Sequence, residues 1–126
     1  MTRLQLINKI QTRRKEVGIT LENLAQVSHL GYKTLSRFFA GQDVKISTLE
    51  KVTQVLGLDF AGNELINAKL LKEKRAEEKA KYIVSLVQDT SALEMQGLES
   101  DSIKILIEET KNEFLIGQYK KNLWVS

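Results

Sequence analysis

The spacing of glycine along this chain is the feature that most constrains its fold. Proline is absent and glycine occurs seven times in 126 residues; Gly18, Gly41 and Gly57 each follow a segment whose apolar residues recur at helical spacing. Glycine readily adopts the left-handed conformation that ends a helix. No stretch alternates apolar and polar residues for long enough to predict a strand. The sequence therefore predicts an all-α fold.

Four short helices are predicted before Gly57. Thr20 is a good N-cap for the second of them, LENLAQVS, because its hydroxyl can accept a free backbone N–H. A tight turn at 29–31 leads into the third, YKTLSRFFA. The first is expected from about Leu4 to Val17 and the fourth from about Ser47 to Leu56. The residues expected to face the core are Leu6, Ile10, Val17, Leu24, Ala25, Ser28, Leu30, Leu35, Phe38, Leu49, Val52 and Leu56.

The second half of the chain has a different character, so we divide it into residues 1–62 and 63–126. Three elements are predicted in the second part: a long helix over 63–88, a turn of helix capped by Ser91 and Glu94 and ending at Gly97, and a final helix from about Ser100 to Ile116. Leu65, Ile66 and Leu70 are expected to return to the core.

Composition excludes several classes of function. Cysteine is absent and there is one histidine, so there is no thiolate metal site and no disulfide framework, and few routes to catalysis remain. No apolar run approaches the roughly 20 residues that cross a bilayer. No export signal is evident. We therefore expect a cytoplasmic, non-enzymatic protein with no metal, cofactor or membrane partner.

The net charge of +3 is unevenly distributed. Residues 1–62 carry nine Lys/Arg against five acids, a net +4, whereas the remaining residues carry ten against eleven, a net −1. A phosphate-binding surface is therefore expected in the first half.

The segment ITLENLAQVSHLGYKTLSRFFAGQ, followed by the Leu- and Val-rich ISTLEKVTQVLG, resembles the helix-turn-helix of the Cro/cI-repressor-like (XRE) family. The resemblance covers about residues 4–60 and needs no gap through Gly41. It implies a lambda-repressor-like domain of about five helices, followed here by a helical C-terminal extension. It also implies a sequence-specific transcriptional regulator, with repression the expected mode, that places the helix near 32–40 in the major groove of an operator.

The candidate DNA contacts follow from where residues lie on the faces of that helix. Lys33 and Arg37 are four residues apart and share one face. By analogy with helix-turn-helix docking, Tyr32, Lys33 and Arg37 are expected at bases, where Arg can form two hydrogen bonds with guanine. The candidate phosphate contacts are Thr34, Ser36, Arg13, Arg14 and Lys45. Each has a plainer interpretation as a solvated surface residue, and Arg37 could equally hold a phosphate or pair with a neighbouring acid.

Three positions depart from the family pattern. His29 stands where glycine is frequent in the turn, and histidine is among the residues that tolerate the left-handed conformation. Gly31 replaces a frequent serine cap. Leu21 replaces a glutamine that often braces phosphate and recognition helix. The loss of that brace supports an alternative function, a protein-interaction adaptor with little or no DNA binding.

For residues 63–126 we consider two roles. One is homodimerisation, because helix-turn-helix proteins commonly pair on two-fold operators. The other follows from the resemblance: small proteins of this family with a C-terminal extension often resemble antitoxins, which bind a cognate toxin and repress their own operon. The expected interface residues are Ile83, Val87, Ile103, Leu106, Ile107, Phe114 and Trp124. Trp124 could instead pack on its own fold.

Overall fold

The computed structural model describes the backbone of residues 1–94 and 100–126 and the side chains of residues 1–87 and 101–126. The helices in this part of the chain are α1 (Arg3–Val17), α2 (Leu21–Ser28), α3 (Tyr32–Phe39), α4 (Ile46–Leu56), α5 (Ala68–Glu94) and α6 (Ser100–Leu115), and a 3-10 turn follows over Lys120–Asn122. The only extended pairing among the described residues is an isolated bridge between Leu58 and Glu64. The prediction of an all-α fold is confirmed.

The contacts divide the described residues into two compact units. Unit 1 contains Met1–Leu71 together with Trp124–Ser126, and unit 2 contains Lys72–Leu123. Unit 1 therefore holds α1 to α4, the start of α5 and the last three residues of the chain. None of the described helices combines the length and the apolar character that crossing a membrane requires.

The first four helices of unit 1 all end in the same hydrogen-bond pattern. After α1, Gly18 has a positive φ of 80° and donates its N–H to the carbonyl of Lys15, while the N–H of Ile19 donates to Arg14. This is a Schellman motif. It recurs at His29, Gly41 and Gly57. The predicted helix ends at Gly18, Gly41 and Gly57 are therefore confirmed.

Apolar residues from all four helices fill the core of unit 1. The prediction for α2 is confirmed, since Leu24, Ala25 and Ser28 are buried. On α1 the inward face differs by one residue from the prediction, because Ile7 is buried and Leu6 is half-exposed. The other buried apolar residues from α1 to Leu58 are Ile10, Val17, Ile19, Leu35, Phe38, Val52, Leu56 and Leu58.

Residues 58–67 form a loop where the sequence suggested the start of a helix. Asp59 organises it by accepting hydrogen bonds from the backbone N–H groups of Ala61 and Asn63, and the bond from Asn63 is the main cause that lowers the pKa of this carboxyl. The helix then begins at Ala68, with Asn67 accepting the N–H of Leu70. Leu65 and Leu70 are exposed rather than returned to the core.

Gly57 permits this loop to fold back. Its φ is 67°, a conformation that favours glycine, and a Cβ at this position would collide with the side chain of Ile66. The N–H of Leu65 also donates to the carbonyl of Gly57 at 2.9 Å.

Unit 2 is built on the small-residue face of α5. Ala76, Ala80 and Val84 recur every four residues and are buried. The helix continues through Ser91 to Glu94, so the predicted cap at Ser91 is wrong; Gly97 lies outside the described residues. The final helix begins at Ser100, as predicted.

Candidate nucleic-acid interface

The turn between α2 and α3 is fixed by backbone hydrogen bonds. Thr20 caps α2 by accepting the N–H of Asn23 at 3.1 Å, as predicted. At the other end His29 is left-handed, with φ 58° and ψ 37°, and the N–H of Leu30 donates to the carbonyl of Ala25 at 2.9 Å. The chain then leaves α2 abruptly and enters α3 at Gly31, which makes no side-chain cap.

The third helix presents one apolar and one polar face. Leu35 is fully buried and Phe38 is 4% exposed, and both anchor α3 to the core. Tyr32, Lys33, Ser36 and Arg37 are exposed, while Thr34 is half-buried. All three residues nominated for base contact therefore lie on the accessible surface of α3.

A basic groove adjoins this face of α3. It has a volume of about 600 Å³ and is formed by α3, the loop after it and the start of α4. Arg37, Lys45 and Lys51 line it, and within the described part of the chain none of the three side chains forms an ion pair. These uncompensated cations make the groove attractive to an anion.

The beginning of α4 adds hydrogen-bond donors to the same groove. Lys45 occupies the N-cap position and provides no side-chain cap, so the N–H groups of Ile46 and Ser47 keep their donor capacity, whereas the N–H of Thr48 donates to the Lys45 carbonyl at 3.0 Å. Ser47 and Thr48 also line the groove. Thr48 is 6% exposed as a residue, and its hydroxyl, which is not fully buried, forms no hydrogen bond within the described residues. Together these groups could bind one or more phosphate oxygens.

The groove contains one acid, Asp43, and that acid is already paired. The Arg3 guanidinium lies 2.9 Å from its carboxylate and donates to the carbonyl of Gly41 at 3.0 Å. Arg3 thereby offsets the only negative side chain that lines the groove. Arg3 could not be singled out from the sequence, because its pairing joins α1 to the loop after α3.

Arg13, expected to hold a phosphate, is instead a core residue. It is 5% exposed, its Nε donates to the carbonyl of Leu56 at 2.8 Å, and its guanidinium also bonds the carbonyl of Ile66. Glu16 and Glu64 lie 3.4 and 3.6 Å from the same group. A guanidinium carries five donors, and here they satisfy carbonyls that the helix end and loop leave free.

Arg14 was also expected to contact a phosphate, but its side chain forms hydrogen bonds within the protein instead. Its Nη1 donates to the carbonyl of Ile19 at 2.9 Å and its Nε to Gln11 at 2.8 Å. The side chain is half-buried and braces the corner between α1 and α2. Of the basic residues nominated for phosphate contact, Lys45 alone lies exposed in the groove.

The residues expected at a protein interface fall into three settings. Ile83 and Val87 on α5 are exposed, beside Tyr82 and Leu86, which are 66% and 50% exposed. Ile103, Leu106 and Ile107 on α6 are half-buried. Phe114 is 4% exposed and its ring contacts the Lys79 ammonium and the ring of Tyr119. Phe114 is therefore a structural residue of unit 2 rather than a free surface anchor.

Trp124 is likewise packed within its own chain. It is 6% exposed and belongs to unit 1, where its indole N–H donates to the carbonyl of Val17 at 3.2 Å. Ser126 adds a 3.3 Å hydrogen bond to Gln26. The alternative that Trp124 packs on its own chain is the one that the structure supports, because the end of α1 leaves a carbonyl free for it.

Sequence reasoning missed Ser47 and Thr48. The available signal was two hydroxyl residues directly after a helix start that lacks a capping side chain. Hydroxyl residues in the first turn of a helix are also common without any ligand, so this signal alone does not predict a phosphate site.

Comparison with known proteins agrees with this geometry. Residues 10–63, which span the second half of α1, the α2–turn–α3 unit, α4 and the first part of the loop after it, match the family model described as Helix-turn-helix. No curated protein and no solved structure matched the chain.

Proposed function

We propose that the protein is a sequence-specific repressor of the Cro/cI-like (XRE) type, since residues 10–63 match a helix-turn-helix family model and that family comprises DNA-binding transcription regulators. Tyr32, Lys33 and Arg37 would read base edges in the major groove. Arg37 also lines the basic groove together with Lys45, so it would hold a phosphate there if it does not read a base. The observation that carries the proposal is the continuity of the exposed α3 face with a groove lined by Arg37, Lys45 and Lys51, none of which forms an ion pair within the described residues.

Operator selection followed by salt titration tests this proposal. Sequences enriched from a random duplex library by the full-length protein would be compared with scrambled duplexes of equal length. We expect the enriched sequence to bind at least about 10³-fold more tightly, and its affinity to fall steeply as salt rises. Equal, weak binding to every sequence would contradict the proposal and favour the adaptor alternative.

We further propose that the protein binds its operator as a homodimer. Support comes from the apolar face of α5, where Tyr82, Ile83, Leu86 and Val87 are exposed on adjacent turns. An exposed patch of this kind commonly marks an interface. Light scattering should give twice the monomer mass of 14.3 kDa. Val87→Lys should restore the monomer, while Ile116→Lys, at a residue 81% exposed outside this face, should not.

A second candidate function is that of an antitoxin whose C-terminal region binds and blocks a toxin. The observation that favours it is a groove of about 400 Å³ between α5 and α6 in unit 2. The test is co-expression with the product of the adjacent gene. A product that arrests growth alone, and is neutralised by this protein, would support the role. A product that is harmless when expressed alone would count against it.

A further inference from the structure

The groove in unit 2 combines an apolar floor with an acidic rim. Ile83 from α5 and Leu106 and Phe114 from α6 line it, and Tyr119 closes one side. Glu109 and Glu113 stand at its edge. Its volume of about 400 Å³ lies at the small end of the range for binding pockets, so it suits a few anchoring side chains better than a large ligand.

The aromatic part of the groove is already ordered. The rings of Phe114 and Tyr119 are 5.7 Å apart, and the Lys79 ammonium lies 5.2 Å from the centre of the Phe114 ring. Lys79 also donates to the carbonyl of Asn122, which holds the ammonium there. A partner would therefore meet a preformed floor, which reduces the ordering cost of binding.

Within the described residues, no ion pair neutralises the two carboxylates at the rim of the groove. Glu109 and Glu113 are four residues apart on α6 and so lie on one face, where like charges repel. Glu109 has no ion pair or hydrogen bond within the described residues, and Glu113 accepts one N–H, from Gln118 at 3.2 Å. A cation placed across both carboxylates would relieve this repulsion.

We propose that this groove docks a basic amphipathic segment of another protein, which inserts a bulky apolar side chain beside Phe114 and places Lys or Arg against Glu109 and Glu113. The segment is most simply a helix, in which residues three or four apart share a face. This inference deepens the proposal that unit 2 binds a protein partner, and it is independent of DNA binding.

The test uses full-length, isotope-labelled protein and two synthetic helical peptides. Both carry leucines at positions i, i+3, i+4 and i+7; one has lysines at the flanking positions and the other has glutamates. We expect the lysine peptide to shift the amide resonances of Ile83, Leu106 and Tyr119 saturably, and the glutamate peptide to leave them unchanged. The Glu109→Gln/Glu113→Gln variant should bind the lysine peptide about tenfold more weakly.

Glu108→Gln is the matched control, because Glu108 is exposed on the same helix but does not line the groove. Its affinity should stay within about twofold of the parent. Equal losses in both variants, equal binding of both peptides, or shifts confined to other surfaces would overturn the inference. So would shifts at Leu106 and Tyr119, which lie outside the proposed dimer face, that depend on protein concentration alone, since a second copy would then occupy the groove. Operator binding, measured on the same samples, shows separately whether the proposed repressor function stands.

Discussion

Arg13 and Arg37 are identical side chains in opposite settings. Arg13 is buried and donates to the carbonyls of Leu56 and Ile66, whereas Arg37 is exposed beside the groove and forms no ion pair in the described part of the chain. The sequence alone placed both at DNA, because the carbonyls that capture Arg13 become its neighbours only when α4 and the following loop pack against α1. The sequence shows which residues are basic, but it does not show which of them will lie next to free backbone carbonyls in the folded chain.

We predict that Arg13→Met destabilises the protein by about 2–4 kcal/mol, because it leaves two backbone carbonyls without a buried donor. Urea unfolding of the full-length variant measures this loss. Lys15→Met, at an exposed position of the same helix, should change stability by less than about 0.5 kcal/mol. If Arg13→Met unfolded at the same urea concentration as the parent, the structural role of Arg13 would be refuted.

Lys33→Ala and Arg37→Ala should each weaken binding to the selected operator by roughly 5- to 150-fold, corresponding to about 1–3 kcal/mol for a base contact. Both side chains are exposed, so the melting temperature should stay unchanged. Fluorescence anisotropy with a labelled duplex gives the affinities, and Lys69→Ala, exposed near the start of α5, serves as the control. Parental affinity in both variants would remove α3 from the interface.

The ends of the first helices could be predicted from the sequence, whereas the tertiary contacts that delay the start of α5 could not. The Schellman turns at Gly18, Gly41 and Gly57 follow from the left-handed preference of glycine, which is a local property. The start of α5 was not predictable in this way. It is delayed to Ala68 because Asp59 and Arg13 bind backbone groups of the loop before it, and those contacts depend on the folded chain.

His29 is the one Schellman residue that is not glycine, and the turn should become more stable if it is replaced. A side chain in the left-handed conformation costs about 1 kcal/mol relative to glycine. His29→Gly should therefore raise the free energy of unfolding by about 0.5–1 kcal/mol. His29→Ala removes the imidazole but keeps the Cβ, so the difference between the two variants isolates the backbone effect. Equal stability of the two would show that the turn carries no such strain.

For the residues at the start of α4 we predict a different effect on DNA binding from that of the α3 residues. Lys45→Gln should weaken binding to specific and scrambled DNA alike and reduce the slope of log K against log salt by about 0.9, as expected for one lost phosphate contact. Thr48→Val keeps the shape but removes the unpartnered hydroxyl, so it should weaken binding without changing the slope. Salt titrations of both variants, with Lys69→Gln as control, measure these effects. An unchanged slope for Lys45→Gln would place that ammonium away from the phosphates.

At the scale of the whole chain, unit 1 is discontinuous in sequence. Residues 1–71 and 124–126 form one compact unit, and residues 72–123 lie between them in sequence. Composition separated a basic first half from a nearly neutral second half, but it could not predict that the last three residues join the first unit. The Trp124 indole bonds the Val17 carbonyl across 107 residues of sequence, and Ser126 bonds Gln26 across 100.

The C-terminal residues should therefore stabilise the DNA-binding unit. Deleting residues 124–126 exposes the core beneath Trp124 and leaves the Val17 carbonyl without its indole donor, so we expect a loss of about 3–5 kcal/mol. Trp124→Phe retains most of the apolar surface and should cost less, about 1–3 kcal/mol. Trp124 is the only tryptophan, so its emission reports this contact directly and should shift to longer wavelength as unit 1 unfolds.

Val125→Ala is the matched control, because Val125 is 36% exposed next to Trp124 and its truncation should change stability far less. If the truncated chain unfolded at the temperature of the full-length protein, or if the tryptophan emission of the native protein matched that of the unfolded chain, the tail would have no part in unit 1. If the predicted losses are observed, residues 124–126 contribute directly to the stability of the unit that carries the proposed DNA-binding surface on α3 and α4.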